Sequence, residues 1–320
     1  MRWYRTLLFS LFGAAVVFPV TGLGQQQPPS AGTPGSEKNQ RPSMAPKPQP
    51  EGTKILEEAV RVLDRKNHDW LETIFWQQAD LQGLTFQTEG KYLSGPNYRL
   101  RLDLKVYLGD SAGTMLVVSD GITMWERFQI GKSEKGEIRK MDLKKVLETV
   151  NSPNMIDQVR NEFFQKQSLA GVAPVLKNIQ QQMIVTRMES MTWQGKKIVQ
   201  LTLVWSEGTT KNFYSPKVPW QNFLPRQCVL NLDADPQSRW PHRLEWWGPA
   251  GTADGDALLF QVEYRNPKLN QPPPKEQWEG LFTFKTERMQ VIDRTKIEIE
   301  HLINRRNQLA QQGNKTPPPK

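Results

Sequence analysis

The chain has 320 residues, and its 42 Lys and Arg against 33 Asp and Glu give a formal net charge of +9. The single cysteine, Cys228, excludes an intramolecular disulfide, and its strand-like surroundings predict a buried structural thiol. The basic residues are scattered without a dense run, which is typical of a solvated surface; an anionic partner such as phospholipid head groups is the alternative explanation.

The first 24 residues have the organisation of a secretory signal peptide. Arg2 and Arg5 precede an apolar run from residue 7 to residue 20, and Gly22 and Gly24 follow it. That run is shorter than the roughly 20 residues of a membrane span. No cysteine lies near the exit, so a lipobox is missing. We expect cleavage and a periplasmic or secreted protein, with an uncleaved signal anchor as the main alternative.

Two segments have too little apolar surface to form a core. Residues 25–52 are rich in Pro and Gln and predict a disordered linker, and residues 306–320 predict a disordered tail. Residues 53–305 between them are long enough for one large domain.

The folded region begins with an amphipathic helix and continues with strands. Thr53 is the candidate N-cap of a helix whose apolar residues are Ile55, Leu56, Ala59, Val60 and Leu63. Strand-like runs follow at 85–92, 98–108 and 115–130. The second alternates strictly, with apolar residues at 100, 102, 104 and 106, which indicates an antiparallel strand with one buried side.

A tight turn at Asp120-Gly121 joins two halves of the third run. Asp-Gly between β-branched residues is a strong hairpin signal, because glycine supplies the positive φ that the turn needs. Beyond the turn, Met124 and Phe128 fall on one side of the strand and Trp125 on the other.

Helical spacing replaces alternation between residues 142 and 179. One helix begins near Leu143, and Ser152-Pro153 predicts the start of a second. A third at 169–179 contains Gly171 and Pro174 and should be bent or broken. Further strands are predicted at 183–191, 197–205, 227–233, 243–247, 258–264 and 280–285. The predicted fold is α+β: a large curved antiparallel sheet, an incomplete β-barrel of about 9–11 strands, with helices covering its concave face.

Catalytic and metal-binding motifs are missing from the sequence. His242 and Glu245 would point to opposite faces of a strand, and the acidic turns at 233–235 and 254–256 lack the remaining ligands of a calcium loop. No nucleophile elbow, zinc helix, phosphate loop or dinucleotide fingerprint occurs. We therefore expect no enzymatic activity, no cofactor and no metal. Paired carboxylates of a glycoside hydrolase leave no fixed spacing, so that class is kept as a third alternative.

Three sequence features together resemble the LolA/LolB-like fold of periplasmic lipoprotein carriers and receptors. They are Val118-Ser119-Asp120-Gly121 followed by Trp125, the Pro96-Asn97 corner after a Gly-containing strand, and Phe282-Thr283-Phe284 followed by Val291-Ile292-Asp293. The chain is also similar to secreted proteins of planctomycete-type bacteria. Where carriers of this family have an Arg that holds the lid closed, before the Pro-Asn corner, this chain has Gly95.

The resemblance implies a non-enzymatic binding protein with an apolar groove for lipid or lipoprotein acyl chains, acting in lipid or lipoprotein trafficking. The candidate groove residues are Trp125, Phe128, Phe163, Phe164, Met124 and Tyr92, and the candidate polar or lid contacts are Arg99 and Arg101. Envelope proteins and a peripheral membrane contact are further partners, and we expect no nucleic-acid partner. The first alternative is an envelope interaction or structural module whose cavity is filled by its own side chains.

Overall fold

A computed structural model describes residues 47–81, 84–109, 111–131, 136–212, 224–249, 255–286 and 290–313. The predicted signal peptide and most of the predicted linker lie outside these residues, so both remain predictions. Among the described residues, none of the helices is long and apolar enough to cross a membrane.

Twelve strands form one sheet in the described part of the chain. They are β1 (Leu71–Leu81), β2 (Leu84–Gly95), β3 (Arg99–Leu108), β4 (Ser111–Asp120), β5 (Thr123–Ile130), β6 (Glu137–Asp142), β7 (Met183–Trp193), β8 (Lys196–Trp205), β9 (Gln227–Asp233), β10 (Pro241–Pro249), β11 (Asp256–Leu269) and β12 (Val291–Asp293). Their order is β12-β6-β5-β4-β3-β2-β1-β11-β10-β9-β8-β7, and every pair except β12 with β6 is antiparallel.

Seven α-helices accompany the sheet within the same residues. They are α1 (Pro50–Leu63), α2 (Leu143–Val150), α3 (Asp157–Lys166), α4 (Ala173–Gln182), α5 (Glu207–Asn212), α6 (Trp278–Phe282) and α7 (Thr295–Gly313). The predicted α+β class with a large, open, curved antiparallel sheet is confirmed. Helices α1, α2, α3, α4 and α7 share one apolar core with the concave face, which we call the inner face.

Strand alternation sorts side chains between the inner face and the opposite, outer face. On β3, Leu100, Leu102 and Leu104 lie on the inner face and are at most 3% exposed. Cys228 also lies there and is fully buried, and burial raises the pKa of its thiol. The predicted alternation of β3 and the predicted buried cysteine are confirmed.

Two sequence-based assignments were wrong in detail. The predicted strand at 280–285 does not form: residues 280–282 are the end of α6, in which Trp278 and Phe282, one helical turn apart, pack against Trp70 on the outer face, and residues 283–285 have no regular structure. Ser152-Pro153 does not start a helix; the carbonyl of Ser152 accepts a hydrogen bond from the Met155 amide (3.0 Å) in a turn, and α3 begins at Asp157.

Helix ends also differ from the predicted limits of the domain. Helix α1 starts at Pro50, and the Thr53 hydroxyl donates to the Gln49 carbonyl (3.1 Å) rather than capping the helix. Helix α7 continues to Gly313, beyond residue 305. The break predicted near Gly171 is confirmed, because Gly171 has φ +71° and α4 begins two residues later.

Candidate functional site on the inner face

The middle of the inner face is filled by the protein's own side chains. Met124, Tyr92 and Phe163, three of the predicted groove residues, are only 1%, 0% and 2% exposed. The Tyr92 hydroxyl donates to the Ser168 carbonyl (2.9 Å), and burial raises the pKa of this phenol. These three residues are core residues and leave no open surface for a ligand.

Phe164 belongs to a second contact at the corner between β2 and β3. Its ring stacks on Tyr98 with 5.8 Å between ring centroids. The guanidinium of Arg65 lies 5.8 Å from the centroid of the Tyr98 ring, and it also donates to the carbonyls of Gly95 (2.5 Å) and Leu169. Arg65 therefore joins the sheet to the turn between α3 and α4.

Trp125, Arg99 and Arg101 lie on the outer face and do not share a surface with Phe128. Trp125 stacks on Phe284 with 5.3 Å between ring centroids. The guanidinium of Arg99 lies 5.0 Å from the ring centroid of Trp278, and that of Arg101 donates to the Leu281 carbonyl (3.2 Å). The guanidiniums of both arginines thus contact α6 on the outer face. Among the described residues, they do not contact the helices that cover the inner face. Sequence alternation alone already separates Trp125 from Phe128.

Half-buried apolar side chains are grouped at one end of the inner face. This end, which we call the lower end, carries the β1–β2, β3–β4 and β5–β6 connections. The group, which we call the lower strip, consists of Phe86, Val106, Leu108, Phe128 and Phe260. Residues of the same face higher in the sheet, such as Leu102 and Tyr92, are fully buried.

Strand register brings the lower strip together from four strands. Phe86 is paired with Leu108 across β2 and β3, and Ala79 is paired with both Phe86 and Phe260. Paired residues of antiparallel strands have their Cβ atoms about 4.5–5.5 Å apart, so Phe86 neighbours Leu108, and the buried Ala79 lies between Phe86 and Phe260. Phe128 is paired with the buried Met115, which is paired in turn with Leu104, so Phe128 lies two inner-face positions above Leu108. The members of the strip are therefore spread over the sheet from β11 to β5.

Polar side chains lie beside the strip on β1 and β2, level with Val106 of β3. Gln77 is paired with Thr88, and both face inward. The Oε1 atom of Gln77 is buried and has no hydrogen-bond partner among the described residues. A buried amide oxygen without a partner is costly, so this atom is a ready acceptor for a hydrogen-bond donor that enters the site.

A charged cleft flanks the lower strip on the side of β5 and β6. Glu126 lies two residues before Phe128 on the same face, and the cleft is also lined by Arg139, Arg294 and Glu298. The cleft is narrow, with a cavity volume of about 10 Å³, which is room for about one water molecule. The Lys166 ammonium of α3 forms an ion pair with the Glu298 carboxylate of α7, with 2.6 Å between Nζ and Oε1, and this pair links the two helices.

Burial controls the ionisation of Glu126. The pKa of its carboxyl is raised because desolvation disfavours the charged form, and the nearby guanidiniums of Arg294 and Arg139 offset that effect only in part. Arg139 lies 3.9 Å from the carboxylate oxygen. The cleft therefore joins two guanidiniums to a carboxyl that takes up a proton more readily than usual.

Metal ions in proteins are bound by clusters of His, Cys, Asp and Glu side chains. The described residues contain no group of three or more such side chains arranged to hold a metal ion. His242 instead contacts Asp233, with 3.3 Å between Nε2 and Oδ2. Its pKa is lowered, mainly by burial.

No protein-family profile and no curated protein matches the chain. Similar solved structures include LprF from Mycobacterium bovis, which is 14% identical over 71% of this chain and 96% of LprF, with a TM-score of 0.36. The MucA/MucB complex of Pseudomonas aeruginosa is 11% identical over 71% of this chain and 60% of the other, with a TM-score of 0.32.

A putative outer membrane lipoprotein-sorting protein domain from Vibrio parahaemolyticus is 8% identical over 72% of this chain and 97% of that domain, with a TM-score of 0.26. At these identities and TM-scores the likeness says nothing about function. The architecture is defined by the strand order and register of the chain itself.

Proposed function

We propose that this protein is a non-enzymatic extracytoplasmic binding protein that holds acyl chains of a lipid or lipoprotein on the lower strip. The observation that supports the proposal is the group of half-buried apolar side chains at the lower end of the inner face, in which Phe260, Phe86 and Leu108 lie on one level and Phe128 lies higher on β5. Ligand sites are typically concave and apolar with a few polar groups at their margin, and the inner face combines both properties at its lower end.

The energetics of such a site suit an acyl chain. Removing a methylene from water contributes about 0.8 kcal/mol, so a handful of buried methylenes exceeds the cost of association by enough for micromolar binding. The strip lies across six strands spaced about 4.8 Å apart, a width similar to the length of an extended fatty acyl chain. An extended apolar ligand therefore fits the strip better than a compact one.

The charged cleft gives the ligand an orientation. Because Glu126 and Phe128 share a face two residues apart, a chain lying on the strip brings its polar end towards Arg139 and Arg294. Guanidiniums bind carboxylates and phosphates through paired hydrogen bonds. The unpartnered amide oxygen of Gln77 offers a second polar contact for a donor group.

Binding of a fluorescent fatty acid to delipidated protein tests the proposal. We expect saturable micromolar binding that falls at least about tenfold in Phe128→Asp and in Leu108→Asp, because a charged group in the strip opposes burial of an acyl chain. Ile74→Asp is the matched control, since Ile74 is an exposed apolar residue (43%) on the outer face. Equal affinity in all variants that keep a native circular dichroism spectrum would contradict the proposal.

The filled middle of the inner face favours a second function. With Met124, Tyr92 and Phe163 closely packed, the fold also suits an envelope interaction or structural module that carries no ligand. A folded, delipidated wild type that binds neither the probe nor a lipid extract would support this second function.

A further inference from the structure

Strand β7 forms one edge of the sheet in the described part of the chain. An edge strand presents backbone N–H and C=O groups that are able to pair with another strand. The first part of this edge is already used, because the amide of Gln49 donates to the carbonyl of Val185 (2.8 Å). The edge that remains begins at Thr186, where a β-bulge between Val185 and Arg187 interrupts the pairing with β8, and its regular part begins at Arg187.

The sequence of this edge is complementary to itself in the antiparallel direction. Around Met188 the chain reads Thr186-Arg187-Met188-Glu189-Ser190. A two-fold axis through Met188 would place Arg187 opposite Glu189 of a second copy, and Thr186 opposite Ser190. A two-fold interface requires that each contact occur twice with the partners exchanged, and this segment satisfies that condition.

Charge selects this register over its neighbours. Moving the axis by one residue would place the two Glu189 side chains, or the two Arg187 side chains, directly opposite each other, and like charges in that position are destabilising. Both side chains lie on the outer face and are exposed, at 68% for Arg187 and 41% for Glu189. They form an ion pair within one chain, which is weak at such exposure and is readily exchanged for a pair between chains.

We infer that the β7 edge is a self-association surface, on which a second copy of this chain pairs antiparallel about Met188 and extends the sheet. Met188 packs against the inner-face core. Pairing of two copies about Met188 would therefore extend that core across the contact. A ladder from Thr186 to Ser190 buries less area than a permanent dimer interface, so the dimer is reversible and depends on concentration. This inference does not depend on the lipid-binding proposal.

Charge reversal gives a test with an internal control. Wild-type protein should show a concentration-dependent monomer–dimer equilibrium in sedimentation velocity. Arg187→Glu and Glu189→Arg should each weaken it at least about tenfold, because each places like charges opposite each other twice. An equimolar mixture of the two variants should dimerise again, since the heterodimer restores both opposite-charge pairs. Lys105→Glu, a charge reversal on β3 far from this edge, should have no effect.

The mixture distinguishes this register from simple loss of folding. Restored dimer in the mixture, and in the double variant Arg187→Glu/Glu189→Arg, supports pairing about Met188. A wild type that remains monomeric up to its highest soluble concentration, or a mixture no more associated than its components, would overturn the inference.

Discussion

The carbonyl oxygen of Asn97 occupies the space that a side chain at Gly121 would need. A Cβ atom at residue 121 would overlap that oxygen, and Gly121 has φ +96°. The Pro-Asn corner and the Asp-Gly turn, which are distant in sequence, therefore meet at the upper end of the sheet. Glycine is required here for both its conformation and its lack of a side chain.

This contact predicts a large cost for Gly121→Ala. Gly109 is the matched control, because it also has positive φ (+53°), but among the described residues no atom beyond its chain neighbours lies within 4 Å of the position that a Cβ atom would take. Gly109→Ala should reduce the free energy of unfolding by about 1 kcal/mol, the usual cost of a left-handed conformation, and Gly121→Ala by at least about 2 kcal/mol. Equal losses in urea unfolding would show that the Asn97 contact is easily relieved.

Arg65 holds the turn between α3 and α4 against the sheet, and its removal should loosen that turn. Arg65→Met keeps the apolar stem but loses the hydrogen bonds to Gly95 and Leu169, which we expect to destabilise the protein by about 2 kcal/mol. Amide hydrogen exchange of residues 167–171 should accelerate more than that of β3. The control is Arg61→Met at an exposed position of α1. Unchanged exchange in the turn would contradict this role.

The raised pKa of Glu126 predicts a pH dependence of stability. A carboxyl whose folded pKa is above its ordinary value of 4.5 binds protons more tightly in the folded state, so its contribution to stability decreases as pH rises from about 4.5 through the folded pKa. Glu126→Gln should therefore be more stable relative to wild type at pH 7 than at pH 4. Urea unfolding of both proteins across this pH range measures the difference. A stability of Glu126→Gln relative to wild type that falls as pH rises would contradict the prediction.

Export is the prediction that depends on the N-terminal sequence alone. Intact-mass measurement of the natively expressed protein should show an N-terminus near Gln25 and no lipid modification, because a signal-like segment lacks a lipobox cysteine. A chain that still begins at Met1, or one that carries an acyl group, would contradict cleavage by the general secretory route.

Strand β3 and strand β1 show what the sequence reveals about the fold. Alternation predicted β3 because its inner residues are all apolar. Strand β1 was not predicted, since its inner face carries polar Thr73, fully buried, while its outer face carries apolar Ile74 and Trp76. Thr73 is accommodated because its hydroxyl donates to the Arg265 carbonyl (3.0 Å), a contact that only the paired strand supplies.

The candidate site was only partly accessible to sequence reasoning. Phe128 was identified, but the other members of the lower strip come from β2, β3 and β11, and only the register of the sheet places them side by side. Met124 and Phe163 were equally good candidates by composition. Whether such residues are half-exposed or buried depends on where the helices pack, which periodicity does not determine.

Native mass spectrometry of protein purified without detergent from its natural host tests the central claim most directly. We expect copurified lipid on the wild type and on Ile74→Asp, and its loss from folded Phe128→Asp, because only the last substitution alters the lower strip. A folded wild type without lipid, or equal lipid occupancy in Phe128→Asp, would contradict the claim that the lower strip is an acyl-chain site.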